Sequence, residues 1–302
     1  MKTTTSTSIP ELKILTAEAW NDYELLDSGN GARLERFGGI TLVRPEAEAI
    51  WQPALHEKAW KAAQAVFRPG QEENGGHWET SKPLPERWQI QRGGLKFWLQ
   101  PGGSKQVGIF PEQAPQWDWI EAQVQAARRP IRVLNLFGYT GIASLAAARA
   151  GAQVTHLDAS RKVMTWAHEN QQLSGLPDTS IRWMLEDALK FVQREARRGS
   201  RYDGLILDPP KFGRGPQGEV WEFYKLLPSL LAACQQVISA EPRFVVLTAY
   251  AVKASALTLQ AAMEDMMSDK HGSVEAGETA LREQARGRLL SLALFARWAA
   301  TD

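Results

Sequence analysis

With 302 residues, 44% of them hydrophobic and 23% charged, the chain has room for one large soluble α/β domain and a small extra one. Its apolar runs are too short to cross a bilayer, its single cysteine, Cys234, excludes an internal disulfide and fits a reducing cytoplasm, and its five scattered histidines offer no zinc spacing. A net charge of +1 excludes a global basic field toward nucleic acid and leaves only a local basic groove.

The polar stretch 1–10 has no apolar core of the kind a secretory signal needs and reads as a frayed tail. Residues 23–27 and 32–37 flank the turn cluster Ser28-Gly29-Asn30-Gly31, and 40–44 follows Gly38-Gly39 as a third strand. Leu55, Ala59, Ala62 and Val66 share one helical stripe, which predicts a helix over 54–67 ended by Arg68-Pro69-Gly70. Residues 71–87, polar and rich in Gly and Pro, read as a loop. Residues 87–91 and 95–100 read as a hairpin across Gly93-Gly94, and 105–110 as a last strand. Together these form a small β-rich N-terminal domain, residues 1–110, expected to shape a substrate cleft. Most of the twelve tryptophans are expected in the core or at the domain interface. Pro111-Glu112-Gln113 opens a helix striped by Trp117, Ile120, Val124 and Ala127 and closed by Arg128-Arg129, whose charge suits its negative end.

From residue 131 strands and helices alternate, which predicts a doubly wound, mostly parallel α/β sheet over a second domain, residues 111–302. Strands are expected at 131–137, 153–158, 180–185, 203–208 and 243–249. Helices are expected at 141–151, 160–173, 186–198, 220–239 and 251–270, with Met263, Met266 and Met267 filling core gaps. Residues 273–282 and 287–298 should close the sheet as a hairpin.

The chemistry gathers at the ends of the predicted strands. Asn135-Leu136-Phe137-Gly138-Tyr139-Thr140-Gly141 is a strand, a glycine turn and a helix start. Glycine there permits positive φ and close approach of a ligand to the backbone, and the helix N-terminus offers unpaired N–H groups. Neither the dinucleotide pattern G-x-G-x-x-G nor the P-loop pattern is present. An adenosyl cofactor without a pyrophosphate fits what remains, and an ordinary βα turn with two structural glycines is the plainer alternative. Asp158 ends the second strand, twenty residues after Gly138, where a carboxylate can accept from ribose hydroxyls or cap the helix starting at Ser160. In Glu186-Asp187-Ala188, Asp187 suits an adenine amino group and the Ala188 N–H a ring nitrogen, or Asp187 serves only the helix N-terminus. Asp208-Pro209-Pro210-Lys211-Phe212 follows a buried strand, and its two prolines remove N–H donors. The Asp208 carboxylate and adjacent carbonyls then make an acceptor rim that can hold an amine N–H and aim its lone pair. Lys211 suits a substrate phosphate or a solvated loop, and Phe212, Phe223 and Tyr224 suit either base stacking or packing of the 212–225 loop. Arg194, Arg197, Arg198 and Arg201 are the densest basic run, read first as a solvated helix end.

These segments, in this order, resemble the class I methyltransferase domain that binds S-adenosylmethionine. Gln106-Val107-Gly108-Ile109-Phe110-Pro111-Glu112-Gln113 together with D-P-P-K-F is similar to the large-subunit ribosomal RNA cytosine-C5 methyltransferase-like group. The resemblance implies a seven-stranded Rossmann-like sheet and a cofactor site made of Phe110, Gln113, Asn135, Phe137, Gly138, Tyr139, Thr140, Gly141, Asp158, Ala159, Ser160, Glu186, Asp187, Ala188 and Asp208. It implies catalytic roles for Asp208, Pro209, Pro210 and Lys211, no metal, and RNA, ribosomal RNA favoured, as the cytoplasmic partner. One departure is informative. Cytosine-C5 methylation needs a thiolate that adds to the ring. The segment after the fifth strand, Leu247 to Lys253, holds no cysteine, and Cys234 falls mid-helix. A cysteine-independent acceptor, such as a ring or exocyclic nitrogen, is therefore expected. A methyltransferase of protein or small molecules, and a cofactor-binding RNA module without turnover, are the alternatives.

Overall fold

The computed structural model describes residues 10–17, 20–70 and 75–301, so residues 1–9 of the expected tail and 71–74 of the expected loop lie outside the described residues. β1 (Lys13–Thr16) stands apart from the sheet that follows it. That sheet takes the order β2 (Tyr23–Gly29), β3 (Ala32–Phe37), β4 (Ile40–Pro45), β5 (Ala65–Pro69), β6 (Gly76–Thr80). The Asn30-Gly31 turn joins β2 to β3 with both residues at positive φ, 50° and 73°.

Three N-terminal expectations need correction. The 54–67 helix shrinks to α1 (Glu57–Lys61), because Ala65, Val66 and Phe67 belong to β5. Ala65 and Phe67 are buried and Val66 is not, a period of two that wins over the short helical stripe. The loop expected to residue 87 contains β6, where Trp78 meets Phe67 across the pair at 5.3 Å between ring centroids. Residues 105–110 form no strand. Gly108 has φ +108°, and a Cβ there would stand 2.2 Å from the Trp166 ring, so the segment crosses the neighbouring helix too closely to lie in a sheet. The hairpin of β7 (Trp88–Arg92) and β8 (Leu95–Leu99) forms as expected.

The second half holds α2 (Ala114–Ala126), β9 (Arg132–Leu136), α3 (Ile142–Arg149), β10 (Gln153–Asp158), α4 (Arg161–Leu173), β11 (Ile181–Leu185), α5 (Ala188–Arg197), β12 (Gly204–Leu207), β13 (Phe212–Arg214), β14 (Val220–Glu222), α6 (Phe223–Gln235), β15 (Phe244–Ala249), α7 (Ala256–Met266), β16 (Gly272–Arg282) and β17 (Leu289–Ala300). The helix expected over 220–239 starts later because Val220–Glu222 pairs with Phe212–Arg214. The main sheet runs β11-β10-β9-β12-β15-β17-β16-β1. β9 to β12 and β15 are mutually parallel, and β17 is antiparallel to both β15 and β16. Seven strands match the doubly wound expectation, and β1 adds an eighth, parallel to β16. Lys13 pairs with Gly277 there, and any side chain at 277 would strike the Lys13 carbonyl.

All residues of β12 and β15 are buried, as parallel strands covered on both faces must be. The chain moves outward from β9 to β11 and then returns to β12 and β15. Strand order therefore reverses between β9 and β12, where α/β sheets open a crevice at the carboxyl ends of their strands.

Candidate active site

β9 ends at Leu136, and the chain then reverses through a strained turn. Phe137, Tyr139 and Gly141 all lie in the left-handed region, at φ 59°, 51° and 87°. Such angles cost non-glycine residues about 1–2 kcal/mol each, so surrounding bonds must hold them. The Gly138 N–H donates to the Leu157 carbonyl (3.0 Å), the Tyr139 N–H to Asp158 Oδ2 (3.0 Å), and the Gly141 N–H to the Gly138 carbonyl (3.0 Å). Gly138 is glycine for another reason than φ: a Cβ there would lie 2.3 Å from His156 Cε1. The His156 ring is buried beneath the turn. Asn135 Nδ2 donates to Ser144 Oγ (2.8 Å), which lies 2.9 Å from His156 Nδ1. Burial lowers the His156 pKa to about 3, so the floor of the turn is neutral.

Asp158, at the end of β10, carries part of this turn. Oδ2 takes the Tyr139 N–H and Oδ1 the Ser160 N–H (2.9 Å), while burial raises its pKa against the pull of those bonds. Each carboxylate oxygen can accept a second bond, so holding the turn leaves capacity for hydroxyls. Past Ala159, Ser160 caps α4 through the Val163 N–H (3.4 Å). The Glu186 N–H donates to the Asp158 carbonyl (3.2 Å), which fixes the end of β11 beside that of β10. Glu186 pairs with Arg194, Asp187 caps α5 through the Lys190 N–H (2.9 Å), and Ala188 is the buried first residue of that helix.

A cleft opens between this turn, α2 and the ends of β9, β12 and β15. Phe110, Gln113, Asn135, Phe137, Gly138, Tyr139, Thr140 and Asp208 all line it, so the structure brings together eight of the residues singled out in the sequence. Gly141 stands behind them as the N-cap of α3, and Asp158 and Asp187 follow along the strand ends. The segment before α2 is the roof. Thr140 Oγ1 donates to the Gly108 carbonyl (2.7 Å), and the Phe110 ring stands 5.4 Å from Tyr139 and 5.0 Å from Tyr250.

Asp208 leaves β12 at the point where strand order reverses. Oδ2 accepts from Gln113 Nε2 (3.4 Å), and Oδ1 is buried with no hydrogen-bond partner. Burial, then the negative charge of Glu112, raises its pKa to about 7, against the Gln113 bond. The Pro210 carbonyl accepts the Trp221 indole N–H (2.6 Å), so one of its lone pairs already serves the β13–β14 hairpin. The Lys211 carbonyl takes the Phe223 N–H (3.0 Å). Of the three aromatic candidates nearby, Phe212 and Tyr224 are 53% and 56% exposed, whereas Phe223 is core. In the basic run, Arg194 and Arg198 pair with Glu186 and Glu195, as befits a helix end.

Sequence reasoning missed Glu112, Tyr250 and the buried set Arg33, Glu35 and Arg44. Arg44 grips Glu35 with Nε (2.7 Å) and Nη2 (2.8 Å), Arg33 Nε lies 3.2 Å from Glu35, and the Tyr23 hydroxyl donates to Glu35 (2.8 Å). The only signal was Glu112 itself, inside a motif from which just Phe110 and Gln113 were drawn.

The chemistry suits an adenosyl sulfonium: aromatic surface and one acid oxygen without a partner in the wall, and a carboxylate at the end of β10 that holds the turn. Residues 48–257 match the family model for S-adenosylmethionine-dependent methyltransferases. The crystal structure of the S-adenosylmethionine-dependent methyltransferase from Agrobacterium tumefaciens is 44% identical, with a TM-score of 0.92 over 97% of each chain. The ribosomal RNA large subunit methyltransferase K/L of Syntrophotalea carbinolica is 31% identical over 128 residues, 42% of this chain and 17% of that protein. Ribosomal RNA large subunit methyltransferase K of Neisseria meningitidis is 26% identical over 193 residues, 61% of this chain and 53% of that protein. The chain thus spans about half or less of the length of these curated relatives. Family model and whole-chain likeness agree: the chain belongs to the S-adenosylmethionine-dependent methyltransferase family.

Proposed function

We propose that this chain transfers the methyl group of S-adenosylmethionine to RNA, ribosomal RNA favoured, at a nitrogen or another atom that needs no cysteine. The observation that carries this reading is Asp208: an acid with one buried, unpartnered oxygen, in the wall of the cleft, at the reversal of strand order. The cofactor supplies an electrophilic methyl, so the chain's own task is alignment and exclusion of water. The turn at 138–141 holds the methionine end, Asp158 the ribose, and Asp187 with the Ala188 N–H the adenine. Phe110 and Gln113 close over them. Asp208 and the Pro209 carbonyl orient the acceptor N–H, and Lys211 meets substrate phosphate. Cys234 takes no part: it is buried in α6, and burial pushes its thiol up to about 12.

Support for RNA comes from the ribosomal RNA methyltransferases among the relatives and from exposed Phe212 and Tyr224 in the segment that follows Asp208. The N-terminal region, residues 1–110, shapes the cleft on this reading, and the protein works in the cytoplasm. Among the described residues no helix is long and apolar enough to cross a membrane. The test offers labelled S-adenosylmethionine with ribosomal RNA, transfer RNA and a protein extract. Label is expected in the ribosomal RNA and is lost with Asp208→Ala. Label in protein alone refutes the RNA substrate, and RNA binding without label points to a module without turnover.

A further inference from the structure

We propose that Glu112 is a positioning residue for methyl acceptance, set in the roof of the cavity to make Asp208 the base that takes the acceptor's proton. The inference rests on the methyltransferase reading above and concerns a side chain outside the cofactor set.

Three polar atoms converge where the roof meets the strand ends: Glu112 Oε2, Asp208 Oδ1 and the Tyr250 hydroxyl. All three are buried; the Tyr250 hydroxyl leans on Glu112 and Gln113, whereas Asp208 Oδ1 has no hydrogen-bond partner. They come from three elements, the turn Pro111–Gln113, the exit of β12 and the exit of β15, held together by Phe110 against Tyr250 and by Gln113 against Asp208. Unpartnered buried polar groups are rare because each costs stability. The one left over, Asp208 Oδ1, lies on a residue that lines the cavity and marks a spot where a polar hydrogen of a ligand is received.

Charge gives each acid its part. Glu112 is 2% exposed, and burial raises its pKa while Arg33 and Arg44 pull it down. Facing it are Arg33 and Glu35 from β3, Arg44 from β4, Tyr23 from β2, and Tyr250 and Asp208 from the exits of β15 and β12; Glu46 and Lys105 lie further out in the same cluster. The two arginines oppose the rise that burial imposes on Glu112, and the charge of Glu112 raises Asp208. An aspartate with its ordinary pKa is too weak a base to receive a proton at neutral pH, whereas one near neutrality is matched to the task. As the acceptor nitrogen's lone pair bonds to the methyl carbon, the carbon–sulfur electron pair stays on sulfur. Asp208 Oδ1 takes the N–H proton and later releases it to solvent. The N-terminal sheet thereby sets the basicity of a residue on the main sheet.

The test uses the whole chain and two ligands: S-adenosylhomocysteine, and sinefungin, whose amine replaces the methylated sulfonium. Calorimetric affinities are compared between about pH 5 and pH 9, a range that brackets the Asp208 titration. The ratio favouring sinefungin should rise about tenfold as Asp208 ionises near pH 7, and should be flat in Asp208→Asn. In Glu112→Gln the midpoint should fall by about one pH unit, while S-adenosylhomocysteine affinity holds within about threefold. A merely structural role for Glu112 would not move that midpoint. An unmoved midpoint in Glu112→Gln, or a flat ratio in the wild type, overturns the proposal. If Glu112→Gln fails to fold, carboxyl-carbon titration of wild type and Asp208→Asn decides instead. The Glu112 midpoint falls when the Asp208 charge is removed if the two are coupled, and equal midpoints refute the coupling. Binding of neither ligand would sink the methyltransferase reading itself.

Discussion

Gly138→Ala tests the floor of the site. A methyl group at 138 would lie 2.3 Å from His156 Cε1, 2.5 Å from Nδ1 and 3.0 Å from Nε2. The ring cannot simply move away. Ser144 holds Nδ1 at 2.9 Å, and Trp183 packs against the ring with centroids 4.6 Å apart. Forced overpacking costs about 1–3 kcal/mol, and breaking the Asn135–Ser144–His156 chain adds about 1 kcal/mol. A loss of about 2–4 kcal/mol corresponds to a melting temperature lower by roughly 4–10 °C in a chain of this size. If the turn shifts instead, Tyr139 leaves Asp158, and S-adenosylhomocysteine affinity should fall by about tenfold or more. Thermal unfolding and calorimetry measure the two outcomes. A double variant with His156→Ala should be less destabilised than the sum of the single changes, because the clashing ring is gone. If Gly138→Ala melts within about one degree of wild type and binds S-adenosylhomocysteine equally, the steric argument is wrong.

Asp208→Asn should raise stability at alkaline pH. Its folded pKa lies near 7, above the ordinary 3.8, so the wild type binds the extra proton when folded. That stabilisation is complete below about pH 4 and is lost as pH rises through about 7. Urea unfolding at about pH 8 should then find the variant more stable by about 2–4 kcal/mol, with the gap closing on acidification; an equal gap at low pH would contradict this. Arg44→Met should destabilise the chain by about 3–5 kcal/mol in urea, since it leaves the buried Glu35 carboxylate without its two-bond partner. Phe212→Ala with Tyr224→Ala should leave melting unchanged, because both rings are largely exposed. The same pair should weaken ribosomal RNA binding about tenfold or more at fixed salt, and unchanged filter binding would remove stacking from the mechanism.

The main sheet was legible because its strands are covered on both faces. Phe244-Val245-Val246-Leu247-Thr248-Ala249 is one buried run, and such runs leave little choice of partner. The residues at strand ends were legible for the same reason: once β9, β10 and β12 are placed, Gly138, Asp158 and Asp208 fall at one edge. Ala-rich 54–67 misled because a helical stripe and a two-residue alternation overlap there, and only pairing with β4 and β6 decides between them. Nothing in the strands 32–37 and 40–44 as read from sequence marked Arg33, Glu35 and Arg44 as buried. Their burial depends on Glu112 and Gln106, which lie far along the chain, and local charge patterns carry no record of such partners. Gly138 was singled out correctly for the turn, but the reason, a histidine under it, was not visible in the spacing.

β1 has a consequence for how the chain behaves before it is finished. Without Lys13–Thr16, the long strand β16 presents a row of open backbone donors and acceptors at the rim of the sheet, the surface on which strands of other molecules add. β1 pairs with residues 277–280, so this rim is sealed by a segment that lies far earlier in the chain. During synthesis the seal waits until β16 has been made, and a chain lacking residues 1–17 should self-associate through β16 even with its cofactor site intact.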